Sequence, residues 1–265
     1  MEGFPQRPER TYQHHITTDH LIRVNGAEAT MNAQFLVFSS LAAPLPSRCT
    51  ANQEQLHMSE LPLLEPSQCV LVLVDEQAGL AFAAGSQDPQ LLRSNSLAVA
   101  KTSVAFDVPV VISTSASKVY SGPLMPAFRA VLPDVVPIER RSMNLWEDDS
   151  VRGAIVATGK RTLIVAGLLT EACVSFPVLS ALSEGYRVVV VADACGGLTA
   201  TSHELALRRM AAAGAVMTSW LQLLLEFQRD WTRHDTYEAA RAIVVDHGGG
   251  YGTGLAYARD MIKPV

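Results

Sequence analysis

TLIVAGLLTEACV, residues 162–174, joins a buried strand to the start of a helix. Its residues 163–166 form an unbroken apolar run, which is typical of a strand covered on both faces of a parallel sheet. Gly167 interrupts the run, and Thr170 is a favourable N-cap for the helical apolar spacing that follows. Cys173 is therefore predicted to lie in the first turn of a helix that begins where a buried strand ends.

This position predicts an activated thiol at Cys173. The positive end of a helix dipole and unpaired backbone N–H groups would both lie nearby. Such an environment lowers the pKa of a thiol and supplies hydrogen-bond donors for an oxyanion. The alternative is a structural cysteine, because free cysteine is among the residue types most often buried. Position alone does not decide between the two.

Composition excludes several classes of partner. The chain has 265 residues, is 48% hydrophobic and 18% charged, and has a net charge of −5. We expect no nucleic-acid partner, since basic runs are missing, and no membrane partner, since no apolar segment is long enough to span a bilayer. The four cysteines have neither disulfide-framework nor zinc-ligand spacing, which favours a cytoplasmic setting; they are Cys49, Cys69, Cys173 and Cys195.

The chain is predicted to have three parts. Residues 1–65 are polar and irregular, with several prolines, and are expected to form a disordered N-terminal extension. Residues 66–232 alternate between strand and helix patterns and are expected to form the main folded domain. Residues 233–265 are apolar enough to need burial beyond a complete domain, so they are expected to pack on a neighbouring subunit of a homo-oligomer.

The central part predicts a three-layer α/β/α sandwich with a doubly wound, mainly parallel sheet of about six strands. The predicted strands are 70–74, 109–113, 135–138, 162–166, 187–192 and 215–218. In such a fold the chemistry lies beyond the carboxyl ends of the strands. Five positions follow from this rule, namely Asp75, the Thr114–Ser115 pair, Arg140, Cys173 and Asp193.

These positions combine an acid, a cation and a thiol, which suits nucleophilic catalysis. A cation favours the thiolate, a carboxylate can move the thiol proton, and backbone N–H groups of Leu169 and Cys173 can hold an oxyanion. Asp75 has a structural alternative as the cap of the next segment, and Asp193 is better explained by the turn that follows it. Arg141 and Lys118 compete with Arg140 for the role of cation.

Several motifs resemble the isochorismatase-like cysteine hydrolase superfamily, and most of all its YcaC-like branch. The matching segments cover nearly all of residues 69–232 and include LVLVDEQAGL (71–80), ERRSMNLWED (139–148) and the 157–196 segment around GLLTEACV. Together, the VDxQxG and GxxTExCV patterns are specific to this superfamily. The resemblance implies a doubly wound α/β/α fold and an Asp–Lys–Cys triad, in which the YcaC-like branch has Arg in place of Lys.

Carried over to this sequence, the resemblance implies Asp75 as the acid/base, Cys173 as the nucleophile and Arg140 as the cation, with Arg141 the alternative. It also implies a cis peptide bond between Leu168 and Leu169. Four residues would line the substrate pocket, namely Gln77, Thr114, Asn144 and Trp146. Because no histidine lies between His57 and His203, the His-ligated metal site of nicotinamidases is not expected, and no cofactor is predicted.

The leading functional prediction is a metal-independent cysteine hydrolase that cleaves a small amide, or another substrate with a carbon–nitrogen bond, through a thioester. The alternative prediction keeps the fold without catalysis. In it, Cys173 serves a redox-responsive or ligand-binding scaffold. The sequence does not specify the substrate.

Overall fold

The computed structural model describes residues 63–262. The extension predicted for residues 1–65 lies outside them, apart from its last three residues. Of these, Leu64 is buried in the core, and its N–H donates a hydrogen bond to Glu226 at 3.0 Å. The folded domain therefore includes residues just ahead of the predicted boundary at 66.

A six-stranded parallel sheet forms the centre of the described domain, with strand order β3-β2-β1-β4-β5-β6. The strands are β1 (Cys69–Val74), β2 (Val110–Ser115), β3 (Ile138–Arg140), β4 (Thr162–Leu168), β5 (Arg187–Gly196) and β6 (Val216–Thr218). The predicted doubly wound parallel sheet is confirmed. The third strand begins later than predicted. The predicted range 135–138 contains Pro137, which has no N–H to donate to a neighbouring strand, and pairing with β2 begins only at Ile138.

Helices cover both faces of the sheet and complete the predicted three layers. Those described are α1 (Ala78–Ala83), α2 (Pro89–Ala105), α3 (Pro126–Val131), α4 (Asp149–Ala157), α5 (Ser175–Ser183), α6 (Ala200–Ala212), α7 (Trp220–Gln228), α8 (His234–His247) and α9 (Gly249–Met261). Apolar residues of α2, α3, α7 and α8 share one core cluster with alternate residues of β1. Residues of α4, α5 and α6 form the second cluster on the opposite face.

Strands β1 and β4 are buried along their whole length. Each buried Val or Leu side chain stabilises the fold by roughly 1.5–3 kcal/mol relative to its exposed state. The strand order reverses between these two neighbours, because the chain runs outward from β1 to β3 and then returns to β4. Their carboxyl ends therefore border the crevice in which doubly wound folds place their sites.

Helix α8 packs on its own chain, which changes the expectation for residues 233–265. Its apolar side belongs to the core cluster that contains residues of α2 and α7. Lys101 of α2 pairs with Asp246 at 2.8 Å, and Ser94 hydrogen-bonds His247 at 2.9 Å. A neighbouring subunit is thus not required to cover α8. Packing on another subunit stays a prediction for α9, whose Tyr257 and Met261 are exposed.

A tight contact between the two central strands depends on Gly167. Its φ is +137°, and a Cβ atom built there would overlap the backbone of Val74. We expect Gly167→Ala to reduce the free energy of unfolding by about 2 kcal/mol or more, measured by urea denaturation. Gly153→Ala is the matched control, because no atom lies within 4 Å of its added methyl group in α4. That substitution should be neutral or stabilising by up to about 1 kcal/mol; equal losses in both variants would contradict this account.

Candidate active site

A buried ion pair links the ends of β1 and β3. Both Arg140 and Asp75 have fully buried side chains, and the guanidinium binds both carboxylate oxygens, with Nη2 2.7 Å from Oδ2. Nη1 also donates to the Ser113 hydroxyl at 2.9 Å. Burial by itself lowers the pKa of Arg140, but the hydrogen bonds and charge of Asp75 outweigh it and raise that pKa. The arginine therefore remains a cation beside the carboxylate.

Local backbone structure aims the carboxylate at the sheet edge. Asp75 follows β1 directly, and its N–H still bonds to the Ser113 carbonyl at 2.9 Å. Its φ is +55°, a left-handed conformation that Asp tolerates better than most residues. The Ser115 hydroxyl donates to Oδ2 at 3.2 Å. Two neighbouring strands thus hold the carboxylate in a single orientation.

Cys173 lies in a single π-helical turn between β4 and α5. This turn, Thr170–Val174, is called the nucleophile turn below. The N–H groups of Ala172 and Val174 both bond to the Leu169 carbonyl at 3.2 Å. Leu169, rather than the predicted Thr170, is the residue before the turn. The Thr170 hydroxyl instead hydrogen-bonds His203 Nδ1 of α6 at 2.8 Å, because the side chain turns inward and is fully buried.

The structure brings the Cys173 thiol next to the ion pair. Burial raises the pKa of Cys173, the Asp75 carboxylate raises it further, and together they place it at about 11. The charge of Arg140 and the Leu169 N–H act in the opposite direction. The expectation of a lowered thiol pKa is therefore wrong, because burial and the Asp75 carboxylate outweigh the opposing effects of Arg140 and the Leu169 N–H on the pKa of Cys173. At neutral pH the group is a thiol, with a proton acceptor beside it.

The Leu169 N–H faces the Cys173 sulphur, where it favours the thiolate. The peptide bond between Leu168 and Leu169 is cis, as the resemblance implied. The sequence analysis predicted that the N–H groups of Leu169 and Cys173 hold an oxyanion. These two donors lie at the two ends of residues 169–173, the segment that ends at the nucleophile.

An open cavity of about 440 Å³ gives access to the thiol, and we call it the inner cavity. Its lining residues are Ser115, Ala116, Glu139, Arg140, Arg141, Ser142, Met143 and Cys173. This volume lies within the range of small-molecule sites. Arg140 is buried against Asp75, whereas Arg141 is exposed at the cavity wall, so the structure distinguishes the two candidate cations.

The four residues predicted to line the pocket lie in different places in the structure. Thr114 lines the cavity next to the inner one, where its hydroxyl donates to Glu139 at 2.9 Å. The side chain of Gln77 is fully buried and joins the segment after β1 to the backbone of Ser115 and Gly122.

The other two predicted lining residues serve the core. Asn144 accepts a hydrogen bond from the Trp146 N–H at 3.1 Å, and the Trp146 indole donates to Glu184 at 2.9 Å while packing edge-on against Tyr186. Neither residue, nor Gln77, lines the inner cavity.

Several residues at the site were missed from sequence. Glu139 and Ser142 lie on either side of Arg140 in the chain and line the inner cavity with it. Once β3 is correctly placed, strand alternation accounts for an exposed Glu139 beside a buried Arg140. His203 lies on α6, and no local pattern connects it with the nucleophile turn. The described residues contain no group of three or more His, Cys, Asp or Glu side chains arranged to hold a metal ion.

Comparison with known proteins identifies the family. The isochorismatase domain matches residues 69–222, so the chain belongs to the isochorismatase family. Within it, this chain is similar to YcaC-like proteins. It is 37% identical to the probable hydrolase YcaC of Escherichia coli over 169 residues, or 63% of this chain and 81% of that protein.

Solved structures agree with this placement. YcaC from Pseudomonas aeruginosa, with hexane-2,5-diol and covalent acrylamide, matches with a TM-score of 0.71 and 34% identity over 74% of this chain and 96% of its own. YcaC from E. coli, an octameric hydrolase of unknown specificity, matches with a TM-score of 0.72 and 34% identity over 76% of this chain and 97% of its own. Helices that could cross a membrane are not found within residues 63–262.

The first prediction from the site concerns thiol reactivity. We expect alkylation of Cys173 by iodoacetamide to keep accelerating with pH well beyond about 8.5, the ordinary thiol value. In Asp75→Asn the carboxylate that raises the thiol pKa is lost and Arg140 is left to favour the thiolate. The pH at which the alkylation rate of Cys173 reaches half its maximum should then fall by about one pH unit or more. Mass spectrometry of the Cys173 peptide measures the alkylation rate across pH in wild type and in Asp75→Asn, with the Cys69 and Cys195 peptides as internal controls. A midpoint that rises in Asp75→Asn would contradict the described electrostatics.

A second prediction concerns Glu76, which follows Asp75 and is almost fully buried. Its Oε1 has no hydrogen-bond partner among the described residues. Burial raises the pKa of Glu76 to about 8, a Ser96 hydrogen bond acts against this, and Asp75 adds to it. The folded state therefore holds a proton that the unfolded state releases from about pH 4.5 upward, so this residue costs stability increasingly between about pH 4.5 and 8.

Glu76→Gln should remove that cost, on the order of a few kcal/mol by pH 8. Urea denaturation at pH 5 and at pH 8 measures the effect. The variant should gain stability relative to wild type mainly at the higher pH. An equal difference at both pH values would contradict the prediction.

Proposed function

We propose that this protein is a cysteine-dependent hydrolase that cleaves the carbon–nitrogen bond of a small amide or a similar substrate through a thioester, without a metal ion. The observation that carries the proposal is one arrangement: the Cys173 thiol on an open cavity, in contact with a carboxylate that Arg140 holds in place. These parts supply a nucleophile, a proton acceptor and, at Leu169, an oxyanion donor.

The raised pKa of Cys173 determines how the first step proceeds. The sulphur attacks the substrate carbonyl carbon as its proton passes to the Asp75 carboxylate, forming the S–C bond. The carbonyl oxygen becomes an oxyanion within reach of the backbone N–H groups of Leu169 and Cys173. Collapse of this intermediate breaks the C–N bond, and protonated Asp75 gives its proton to the departing amine.

The second step returns the enzyme to its starting state. Water attacks the thioester carbonyl and passes a proton to the Asp75 carboxylate. The C–S bond then breaks, the acid is released, and the proton moves from Asp75 back to the Cys173 sulphur. Arg140 takes no proton in either step, because its role is to hold Asp75 in orientation. It also offsets the negative charge that would otherwise accumulate beside the sulphur.

Two relatives support this proposal, and neither identifies the substrate. The E. coli relative is a probable hydrolase and forms an octamer, which favours hydrolysis and homo-oligomer formation here. The P. aeruginosa relative contains covalent acrylamide. Acrylamide is an electrophile that adds to thiols, so we expect Cys173 to accept it as well.

The scaffold alternative is weaker on the same geometry. Oxidation of cysteine follows thiolate character and exposure. A half-buried thiol with a pKa of about 11 has little thiolate at neutral pH. An adjacent carboxylate hinders a redox sensor, whereas it serves a hydrolase that removes the proton during attack.

The proposal is tested by ammonia release from a panel of small primary amides. Cys173→Ala should reduce turnover by about 1,000-fold or more, because it removes the attacking atom. Cys69→Ala is the matched control, since it removes a thiol at the opposite end of β1, and it should retain turnover. A chelator should have no effect. Chelator-sensitive turnover that survives Cys173→Ala would overturn the proposal.

A further inference from the structure

A second cavity opens beside the inner one and shares its wall. This outer cavity has a volume of about 570 Å³, and both cavities are lined by Ala116 and Glu139. No step proposed above uses it. A substrate that reaches Cys173 through the inner cavity can therefore extend a second part along the outer one.

Among the charged residues that line the two cavities, cations outnumber carboxylates. Lys118 and Arg129 line the outer cavity, and Arg141 lines the inner one. All three are exposed, and none forms an ion pair or side-chain hydrogen bond with another residue of 63–262. Arg140 differs, because Asp75 neutralises it.

Glu139 is the single carboxylate among the lining residues of the two cavities, and its oxygens are already bound. Its Oε1 accepts the Ser117 N–H at 2.9 Å, and its Oε2 accepts the hydroxyls of Thr114 and Ser117. Burial acts to raise the pKa of Glu139, but these hydrogen bonds outweigh it and lower that pKa. Three unpaired cations and one occupied carboxylate thus line the two cavities, although the net charge of the whole chain is −5. The net positive charge of these lining residues is opposite in sign to the net charge of the whole chain, and it attracts anions to the two cavities.

The rest of the outer cavity is apolar. Its further lining residues are Val119, Pro123, Leu124, Val136 and Pro137. A ligand here would therefore place hydrocarbon against the wall and a negative charge near the two cations. Because Glu139 belongs to the same wall, and Thr114 and Ser117 donate their hydroxyls to it, a monoanion fits better than a phosphate dianion.

We propose, as a refinement that rests on the proposed hydrolase function, that the substrate is an amide bearing a carboxylate on an apolar spacer, with Lys118 and Arg129 binding that carboxylate. The scissile amide then lies in the inner cavity at Cys173, and the spacer follows the shared wall at Ala116. Lys118 and Arg129 act on specificity and take no part in proton transfer.

Alkylation of Cys173 tests the carboxylate site without any need for turnover. The probes are maleimidoalkanoic acids with spacers of about two to five carbons and their methyl esters, which differ only in charge. The thiol adds across the maleimide double bond, so that an S–C bond forms and the thiol proton moves to the neighbouring carbon. We expect the acid to label Cys173 about 5–10 times faster than its ester at the best spacer length. High salt should largely remove this preference.

The double variant Lys118→Gln/Arg129→Gln should bring the acid-to-ester ratio close to one. Arg93→Gln/Arg209→Gln is the matched control, because it removes the same charge from exposed positions on α2 and α6 that line neither cavity, and it should keep the wild-type ratio. A ratio near one in the wild type, or an equal loss in both double variants, would overturn the inference. A maleimidoalkyl phosphonate that labels faster than the carboxylate would overturn the choice of carboxylate.

The amide panel separates this inference from the proposed function. Ammonia release from neutral amides as fast as from their carboxylate-bearing counterparts would contradict the inference and leave the hydrolase standing. Strong acid-to-ester selectivity without turnover of any amide would support the carboxylate site and contradict the hydrolase alone.

Discussion

The buried pair of Asp75 and Arg140 is the interaction on which the site depends. Two charges without solvent contact are tolerated only when each satisfies the other, and removing one partner of such a pair costs about 3–5 kcal/mol. The pair joins the ends of β1 and β3, which are separated in the sheet by β2. Its presence therefore requires the parallel register of three strands, and it fixes a carboxylate where the nucleophile turn arrives from β4.

This arrangement separates the stability of the site from its reactivity. Arg140 could favour a Cys173 thiolate, but most of its charge is balanced by two contacts with Asp75. The thiol is left with burial and a neighbouring carboxylate, which both favour the protonated form. Reactivity then arises when an electrophile is present, because attack and proton transfer to Asp75 can occur together. A protonated thiol is also oxidised less readily than a thiolate.

Sequence predicts the fold well where the physical signal is continuous, as in the apolar runs of β1 and β4, which are covered on both faces. Strand β3 is harder, because its three residues include two charged side chains. Helices α8 and α9 go unpredicted as elements, since no side chain caps their first turns and so neither helix has a clear start signal in the sequence. At the site, the convergence of strand ends brings Asp75, Arg140 and Cys173 together, but only side-chain orientation separates the buried Arg140 from the exposed Arg141.

Charge distribution is the property least accessible from sequence. An acidic composition suggests a surface that repels anions, and the count of charges contains no information about where they lie. Folding brings Lys118, Arg129 and Arg141 to two adjoining cavities from the loop after β2, from α3 and from the segment after β3. The carboxylate in those walls, Glu139, is held by hydroxyl and N–H donors instead of by a cation. Net charge governs the protein as a whole, but the field at a cavity mouth depends on which charges remain unpaired there, and here those are positive.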